Sequence, residues 1–280
     1  IVILVFGKSG QLAQELQHQA DVLALGRSEA DLSTPGTAQA AIARHGPSAV
    51  INAAAYTAVD RAEEDAVAAH QINAAAPEEM ARACAGLGIP FLHVSTDYVF
   101  DGSGQAPWRE DDPVAPLGGY GRTKLAGEEA VRAVGGNYVI LRTSWVFSSH
   151  GANFVKTMLR LSETRDALGV VSDQIGGPTP AADIASTLLK MAQQMQAGAV
   201  GGTYHYGGQP AVSWAGFART IFAQAGRNVT VTDIPSRDYP TPAQRPLNSR
   251  LDCAKLTADF GIKPPKWEAG LALVLKELKI

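Results

Sequence analysis

The sequence predicts an α/β fold in which helices cover both faces of a doubly wound parallel sheet. Short apolar runs alternate with helical segments, and a glycine-containing turn follows the first run. Five apolar runs are predicted to form buried strands: 1–6, 22–25, 48–54, 89–95 and 137–144. Segments rich in Ala, Glu, Gln and Arg are predicted to form the intervening helices: 11–20, 36–45, 61–86 and 121–134. This alternation is typical of βαβ units, whose ligands bind beyond the carboxyl ends of the strands.

The pattern becomes less regular from about residue 150 onward. Further helices are predicted near 152–165, 181–196, 213–225 and 267–278. Two proline-rich segments, 176–180 and 234–246, are expected to form a lid or a pocket wall rather than a second sheet. We therefore predict a dinucleotide-binding lobe (1–147 and 179–206) and a smaller, interleaved α/β substrate lobe (148–178 and 207–280).

The composition excludes several classes of protein. The 280 residues carry a net charge of −3, which offers no basic surface for nucleic acid or for a membrane. The first apolar run ends at Gly7, too early for a signal peptide, and no run approaches the about 18 residues of a membrane span. Cys84 and Cys253 form no CxxC pair, and the six histidines show no metal-binding spacing. We expect a cytoplasmic protein without a histidine-bound metal and without nucleic-acid or membrane partners.

The turn after the first predicted strand has the pattern of a dinucleotide-binding loop. The stretch "VFGKSGQLAQEL" places Gly7, Gly10 and Ala13 between that strand and the first helix. The two glycines permit a sharp turn, and they let backbone N–H groups and the helix N-terminus approach a pyrophosphate. A glycine-rich turn without a ligand is the alternative, but the βαβ context favours Rossmann-type dinucleotide binding.

The end of the second predicted strand indicates which dinucleotide is preferred. An acidic residue there would bind the adenosine ribose hydroxyls and favour NAD. Gly26 and Arg27 occupy this place, and an arginine accommodates a 2′-phosphate. The sequence predicts a preference for NADPH, with NADH still possible. Equal efficiency with both would indicate that Arg27 points into solvent.

A tyrosine and a lysine lie four residues apart at the start of a predicted helix. Tyr120 and Lys124 share a helix face, and a nearby ammonium group favours a phenolate, so Tyr120 is a candidate proton donor to a carbonyl group. An ordinary surface pair is the alternative.

Ser95, Thr96 and Asp97 follow the fourth predicted strand at the same sheet edge, where a hydroxyl can bind a substrate oxygen. The glycine turn, the Tyr120–Lys124 pair and the hydroxyl residues after the fourth strand together favour a carbonyl reductase.

Several longer stretches resemble one family. "NAAAYTAVD" (52–60), "STDYVFDG" (95–102) and "YGRTK" (120–124) are similar to extended short-chain dehydrogenase/reductases. Four more stretches narrow the resemblance to the dTDP-4-dehydrorhamnose reductase family: "LRTSWVF" (141–147), "NFVKTML" (153–159), "SDQIGGPT" (172–179) and "RPLNSRLD" (245–252). The resemblance covers essentially the whole chain. It implies NADPH-dependent reduction of the C4 ketone of dTDP-4-dehydro-β-L-rhamnose, the last step of dTDP-L-rhamnose synthesis.

The resemblance also implies roles for individual residues. Tyr120 would protonate the alkoxide, Lys124 would hold the nicotinamide ribose, and Thr96 would orient the ketone. Cofactor contacts are implied for Gly7, Lys8, Ser9, Gly10, Gln11, Leu12, Arg27, Asp31, Leu32, Ala55, Tyr56, Thr57, Tyr120 and Lys124. Substrate contacts are implied for Thr96, Asp97, Trp145, Asn153 and Arg245. Two alternatives stay open: Trp145 as a core residue, and Arg245 as a brace for the proline-rich loop.

Some members of this family are described as magnesium-dependent dimers. Glu15 and Glu277 are the candidate positions for such an ion, but two isolated glutamates make no metal site. The sequence therefore predicts no metal site of its own, leaves a magnesium requirement undecided, and is compatible with a homodimer.

Other functions are compatible with the same motifs. One is another nucleotide-4-ketosugar reductase or a 4-epimerase, although an epimerase would prefer an acidic residue in place of Arg27. Another is a non-catalytic regulatory subunit similar to the beta subunit of methionine adenosyltransferase, against which the intact Thr96, Tyr120 and Lys124 argue.

Overall fold

The computed structural model describes residues 2–280, so residue 1 of the first predicted strand lies outside the described residues. The strands are β1 (Ile3–Phe6), β2 (Val22–Leu25), β3 (Ala49–Asn52), β4 (Phe91–Thr96), β5 (Tyr138–Thr143), β6 (Val146–Phe147), β7 (Ala167–Val171), β8 (Ile175–Gly176), β9 (Thr179–Pro180), β10 (Gly202–His205), β11 (Val212–Ser213), β12 (Thr230–Ile234) and β13 (Asn248–Ser249). The α-helices are α1 (Gln11–Gln19), α2 (Thr37–His45), α3 (Ala66–His70), α4 (Ala76–Leu87), α5 (Gly119–Val134), α6 (Phe154–Leu161), α7 (Ala181–Gln196), α8 (Trp214–Gln224), α9 (Ala254–Phe260) and α10 (Trp267–Glu277).

A parallel sheet of six strands forms the centre of the molecule. The strand order is β10-β5-β4-β3-β1-β2, and every neighbouring pair is parallel. Strand β1 pairs with β2 on one side and β3 on the other, so the order of strand addition reverses at β1. Ligands of such sheets bind in the crevice at this reversal, beyond the carboxyl ends of the strands. The predicted α/β fold class is confirmed.

Two hydrophobic cores cover the two faces of the sheet. One contains side chains of α1, α7 and α9, such as Leu16, Leu188 and Leu256. The other contains side chains of α2, α4 and α5, such as Ile42 and Met80. Successive strand residues point to opposite faces, and both faces are apolar here. This explains why the buried strands appear in the sequence as continuous apolar runs.

A third core lies outside the main sheet. It joins α6, α8, α10 and β7 through a large set of aromatic and aliphatic side chains, including Phe147, Phe217 and Trp267. Short strands accompany it as the sheets β11-β8-β13, β12-β7 and β6-β9. The expectation of no second sheet was therefore wrong for segment 176–180, which contains Gly176 of β8 and all of β9. It was also wrong for the first residue of segment 234–246, because Ile234 ends β12. Two-residue strands are too short to show the alternation that identifies a strand in sequence.

Two more differences concern the main layers. Strand β10 and helix α9 were not predicted, although β10 falls in the segment 179–206 that was assigned to the dinucleotide lobe. The predicted helix 61–86 is broken: a 3₁₀ turn (Arg61–Glu63) precedes α3, and a π-helical turn (Gln71–Ala75) joins α3 to α4. The division into two lobes stays a prediction. None of the helices within residues 2–280 combines the length and apolar character needed to cross a bilayer.

Candidate active site

The turn between β1 and α1 leaves a helix N-terminus open at the sheet reversal. Gly7 has a φ of +103°, and a Cβ there would lie 3.3 Å from the backbone of Ala53 and Ala54 after β3. A Cβ on Gly10, the residue before α1, would meet nothing within 4 Å. No side chain in the described part of the chain caps α1, and its first turn holds no acidic residue. The free N–H groups and the helix dipole favour a bound anion, so the turn fits the pyrophosphate of a dinucleotide.

An acidic side chain does lie at the end of β2, contrary to the expectation from Gly26 and Arg27. Glu29 folds back and accepts hydrogen bonds from the Gly26 N–H (2.9 Å) and from Lys8 Nζ (2.7 Å). The hydrogen bonds that Glu29 accepts, first from Lys8 and then from Ser28, lower its pKa to about 2. Arg27 is 83% exposed and contacts only Asp31, at 3.3 Å, among the ion pairs of residues 2–280. Sequence analysis missed Glu29 because a turn, not the strand, brings it to this place.

A buried asparagine organises the loop after β3. Asn73, in the π-helical turn, accepts a hydrogen bond from the Tyr56 N–H (2.8 Å) through Oδ1. Its Nδ2 donates to the Tyr56 carbonyl (3.1 Å) and to Thr123 Oγ1 (3.0 Å) on α5. The Tyr56 hydroxyl donates to Asp65 (3.1 Å). Asn73 thus connects the loop predicted to contact the dinucleotide with the helix that carries Lys124, a link that periodicity does not reveal.

Helix α5 packs closely against the turn that follows β4. The Gly119 N–H donates to Glu63 Oε1 (2.5 Å) at the start of the helix. A Cβ on Gly121 would overlap the Tyr98 carbonyl oxygen, and a Cβ on Gly127 would overlap that of Asn73. These glycines allow α5 to approach the sheet edge, where Lys124 is buried and Tyr120 is half-buried as a result.

Lys124 is buried and Tyr120 is half-buried, and both have shifted pKa values. Lys124 Nζ donates to the Val94 carbonyl of β4 (2.6 Å), and burial lowers the pKa of Lys124 to about 8. Burial, followed by the Asp97 carboxylate, raises the pKa of Tyr120 to about 12. Lys124 is not among the groups that shift the pKa of Tyr120 here, so the expectation that its ammonium favours the phenolate stays a prediction. Tyr120 is a neutral phenol, which is the form that donates a proton.

The residues after β4 present polar atoms beside Tyr120. Thr96 Oγ1 accepts a hydrogen bond from the Tyr98 N–H (3.1 Å) and donates to Asp97 Oδ1 (3.2 Å). The Thr96 hydroxyl also acts to lower the pKa of Tyr120. Asp97 Oδ2 is buried and has no hydrogen-bond partner within residues 2–280, and burial raises the pKa of Asp97 to about 7. A buried acceptor without a partner is costly, and a sugar hydroxyl would satisfy it.

Trp145 is held in a strained conformation next to β5. Its φ is +49°, which is uncommon for a bulky residue, and its ring stacks on Trp214 at a centroid distance of 3.6 Å. A Cβ on Gly176 would lie 2.7 Å from the indole, so only glycine leaves room for it. Trp214 Nε1 donates to Gln174 (3.2 Å) and fixes the pair. Trp145 is only half-buried, which favours the substrate role over the core role. Sequence analysis missed Trp214.

Asn153 and Arg245 are engaged in contacts within the protein. Asn153 Oδ1 accepts from the Lys156 N–H (3.2 Å) as the cap of α6, and its Nδ2 donates to Gln11 Oε1 (3.0 Å). Arg245 forms a two-pronged ion pair with Asp60 (2.9 and 3.0 Å). These contacts favour the bracing role of Arg245, and the diphosphate contacts of both residues stay predictions.

A buried charge network lies one turn beyond Lys124. Glu128 accepts hydrogen bonds from Arg142 (2.7 and 2.9 Å), Arg132 (2.6 Å) and Ser95 Oγ (2.6 Å). Burial acts to raise the pKa of Glu128, but its arginine partners hold that pKa below its usual value. The Glu128 carboxylate in turn raises the pKa of Lys124 against the effect of burial. Sequence analysis missed this network, although Glu128 continues the i, i+4 face of Tyr120 and Lys124.

Comparison with known proteins identifies the family. A family model described as RmlD substrate binding domain matches residues 1–280. The dTDP-4-dehydrorhamnose reductase of Sinorhizobium fredii is 45% identical, over 95% of this chain and 94% of that protein. A reductase of the same name from Clostridium acetobutylicum has a TM-score of 0.94 at 37% identity and full coverage of both chains. The Bacillus anthracis one, solved in complex with NADP, has a TM-score of 0.92 at 34% identity and covers 98% of each chain. The chain therefore belongs to the RmlD substrate binding domain family, to which the motifs of a dTDP-4-dehydrorhamnose reductase had pointed.

Proposed function

We propose that this protein reduces the C4 ketone of dTDP-4-dehydro-β-L-rhamnose with NADPH and so forms dTDP-L-rhamnose in the last step of its synthesis. The observation that carries the proposal is the position of the half-buried Tyr120 and the buried Lys124 beside Thr96 at the carboxyl end of β4. The names of the relatives, and the NADP in one of their structures, support the same reaction.

The dinucleotide would lie across the sheet reversal. The turn from Gly7 to Leu12 would hold its pyrophosphate, and Arg27, Asp31 and Leu32 would hold its adenosine end. Residues 55–57 would line its middle, and Tyr120 and Lys124 would face the nicotinamide ribose. When bound, the reduced dinucleotide supplies the hydride that the carbonyl carbon accepts.

The chain's own groups would complete the reduction. The Tyr120 phenol donates its proton to the carbonyl oxygen as that oxygen becomes an alkoxide, so ketone, hydride and proton balance to an alcohol. The Thr96 hydroxyl donates a hydrogen bond to the same oxygen, and the Lys124 ammonium stabilises the phenolate left behind. Donors aimed at a developing oxyanion are most effective in a water-poor site. Thr96 and Lys124 are buried, and Tyr120 is half-buried.

The sugar would lie between Asp97 and Trp145. The partnerless Asp97 Oδ2 would accept from a sugar hydroxyl, and the Trp145 indole would cover an apolar face of the ring. To contact the diphosphate, Asn153 would have to share or leave its bonds to Gln11 and Lys156. Arg245 would likewise have to share or leave its ion pair with Asp60.

One assay separates this function from its alternatives. The protein is incubated with NADPH, dTDP-4-dehydro-6-deoxyglucose and the 3,5-epimerase that converts it. We expect stoichiometric NADPH oxidation and one new dTDP-sugar. A sugar product without net NADPH consumption would indicate an epimerase, and no turnover would indicate a non-catalytic subunit.

Cofactor selectivity is expected to depend on Glu29. Its carboxylate would repel a 2′-phosphate but accept a bond from a free ribose hydroxyl, and Lys8 partly neutralises it. Glu29→Gln is expected to raise the NADPH/NADH ratio of kcat/KM about tenfold, because bonds to charged groups contribute about 1.5–3 kcal/mol. Glu163→Gln, the same change at an exposed position, serves as the control. An unchanged ratio in Glu29→Gln would place the ribose elsewhere.

The setting of the enzyme is also part of the proposal. Cys84 and Cys253 are free, buried thiols, which is compatible with a reducing cytoplasm. We expect a cytoplasmic protein that acts on a dTDP-sugar and forms a homodimer.

A further inference from the structure

Three metal-ligating side chains from distant parts of the sequence meet beside the cofactor helix. Glu15 and His18 lie on α1, and His150 lies in the loop before α6. One candidate ligand atom from each lies within 4.8 Å of the other two. Glu15 and His18 are three residues apart and therefore share a helix face. The scattered spacing of the histidines in the sequence gave the opposite expectation, because the third ligand comes from a different element.

The geometry of the cluster is close to that of a metal site. Glu15 Oε1 lies 3.5 Å from His150 Nε2. Two tetrahedral ligands at zinc distances of 2.0–2.2 Å are separated by about 3.4 Å, so these atoms need almost no movement. His150 Nε2 is buried and has no hydrogen-bond partner within residues 2–280. The His18 ring meets the His150 ring edge-on at 5.0 Å and is exposed, so it is free to rotate toward the other two.

The donor set does not fit the magnesium ion that the family resemblance implied for Glu15 and Glu277. Magnesium prefers oxygen ligands in an octahedral arrangement, whereas two of the three donors here are imidazoles. Glu277 Oε2 accepts a hydrogen bond from Ser149 Oγ (2.5 Å). Imidazole and carboxylate together suit zinc and neighbouring transition metals.

We propose that Glu15, His18 and His150 form a binding site for a divalent transition metal of the zinc type. The metal would connect the loop 148–153 to α1. The same loop already contacts the first residue of α1, where Ser148 Oγ donates to Gln11 Oε1 (3.2 Å) and Asn153 Nδ2 donates to the same oxygen (3.0 Å). Metal binding would therefore stabilise the loop against the helix whose N-terminus faces the predicted pyrophosphate site.

The test uses the full chain without a histidine tag, after treatment with a chelator. Co²⁺ is titrated while its visible ligand-field absorption is recorded, and thermal unfolding is measured with and without Zn²⁺. The variants are His18→Gln and His150→Gln, with His45→Gln on α2 as the matched control at an exposed position. We expect saturation at one Co²⁺ per chain in the wild type and in His45→Gln. Zn²⁺ at 100 times its Kd should stabilise both proteins by about 2.7 kcal/mol.

The Co²⁺ affinity of the two ligand variants and the competition between Mg²⁺ and Co²⁺ test the proposal. Each ligand variant is expected to bind Co²⁺ at least tenfold more weakly, and a large excess of Mg²⁺ should not displace Co²⁺ from the wild type. Absence of saturable binding by the wild type would overturn the proposal. So would unchanged affinity in both ligand variants, since the ion would then bind elsewhere. Displacement by Mg²⁺ at concentrations similar to that of Co²⁺ would instead indicate an oxygen-ligand site.

Discussion

Replacing Tyr120 with phenylalanine is expected to reduce kcat by about 10²–10⁴-fold while the affinity for NADPH changes little. The phenol lies beside Thr96 and one helical turn before Lys124, and its pKa of about 12 keeps it protonated at neutral pH. Phenylalanine keeps the ring that packs edge-on against Tyr98 at 5.5 Å and removes only the proton donor. The measurement is single-turnover NADPH oxidation together with cofactor binding.

Tyr204→Phe is the matched control for this prediction. Tyr204 is a buried tyrosine on the edge strand β10, and its hydroxyl donates to Asp259 on α9 (2.9 Å). This variant is expected to lose some stability through the missing hydrogen bond but to keep its kcat. If Tyr120→Phe retained wild-type turnover, Tyr120 would not be the proton donor. If both variants lost turnover equally, the effect would be a general one on the fold.

The sequence predicted those parts of the site that depend on local pattern. The buried strands appear as apolar runs because both sheet faces are covered, and parallel strands bring their carboxyl ends to one edge. Thr96 and the turn at Gly7 follow from that rule alone, whereas Tyr120 was found through its spacing to Lys124. The i, i+4 spacing then places Lys124 beside Tyr120.

The parts that sequence analysis missed depend on contacts between distant segments. His150 reaches Glu15 across 135 positions, and Asn73 reaches Thr123 across 50. Glu29 lies at the end of β2 only because its turn folds back on Gly26. Trp145 depends on a positive φ and on the space left by Gly176. No periodic signal encodes such contacts, so only tertiary structure reveals them.

Glu128→Gln is expected to destabilise the protein by about 3–5 kcal/mol, because it leaves the buried charge of Arg142 without its partner. Glu128 is 0% exposed and Arg142 is 2% exposed, so water cannot replace the lost carboxylate. Glu78→Gln is a matched control: Glu78 also pairs with an arginine four residues later on a helix, at the same 2.6 Å. The Glu78 side chain is 39% exposed and the Arg82 side chain is 66% exposed. Loss of this pair should lower the free energy of unfolding by about 0–1 kcal/mol. Urea unfolding of the two variants provides the comparison.

The same substitution should alter catalysis through Lys124. The Glu128 carboxylate raises the pKa of Lys124, so its removal should lower that pKa further from its value of about 8. Lys124 would then lose its proton at a lower pH, and the alkaline limb of the kcat/KM profile should move to lower pH in Glu128→Gln but not in Glu78→Gln. A loss of stability with an unmoved alkaline limb would limit Glu128 to a structural role. A shifted limb would show that the buried network, which no motif contains, keeps the catalytic ammonium charged.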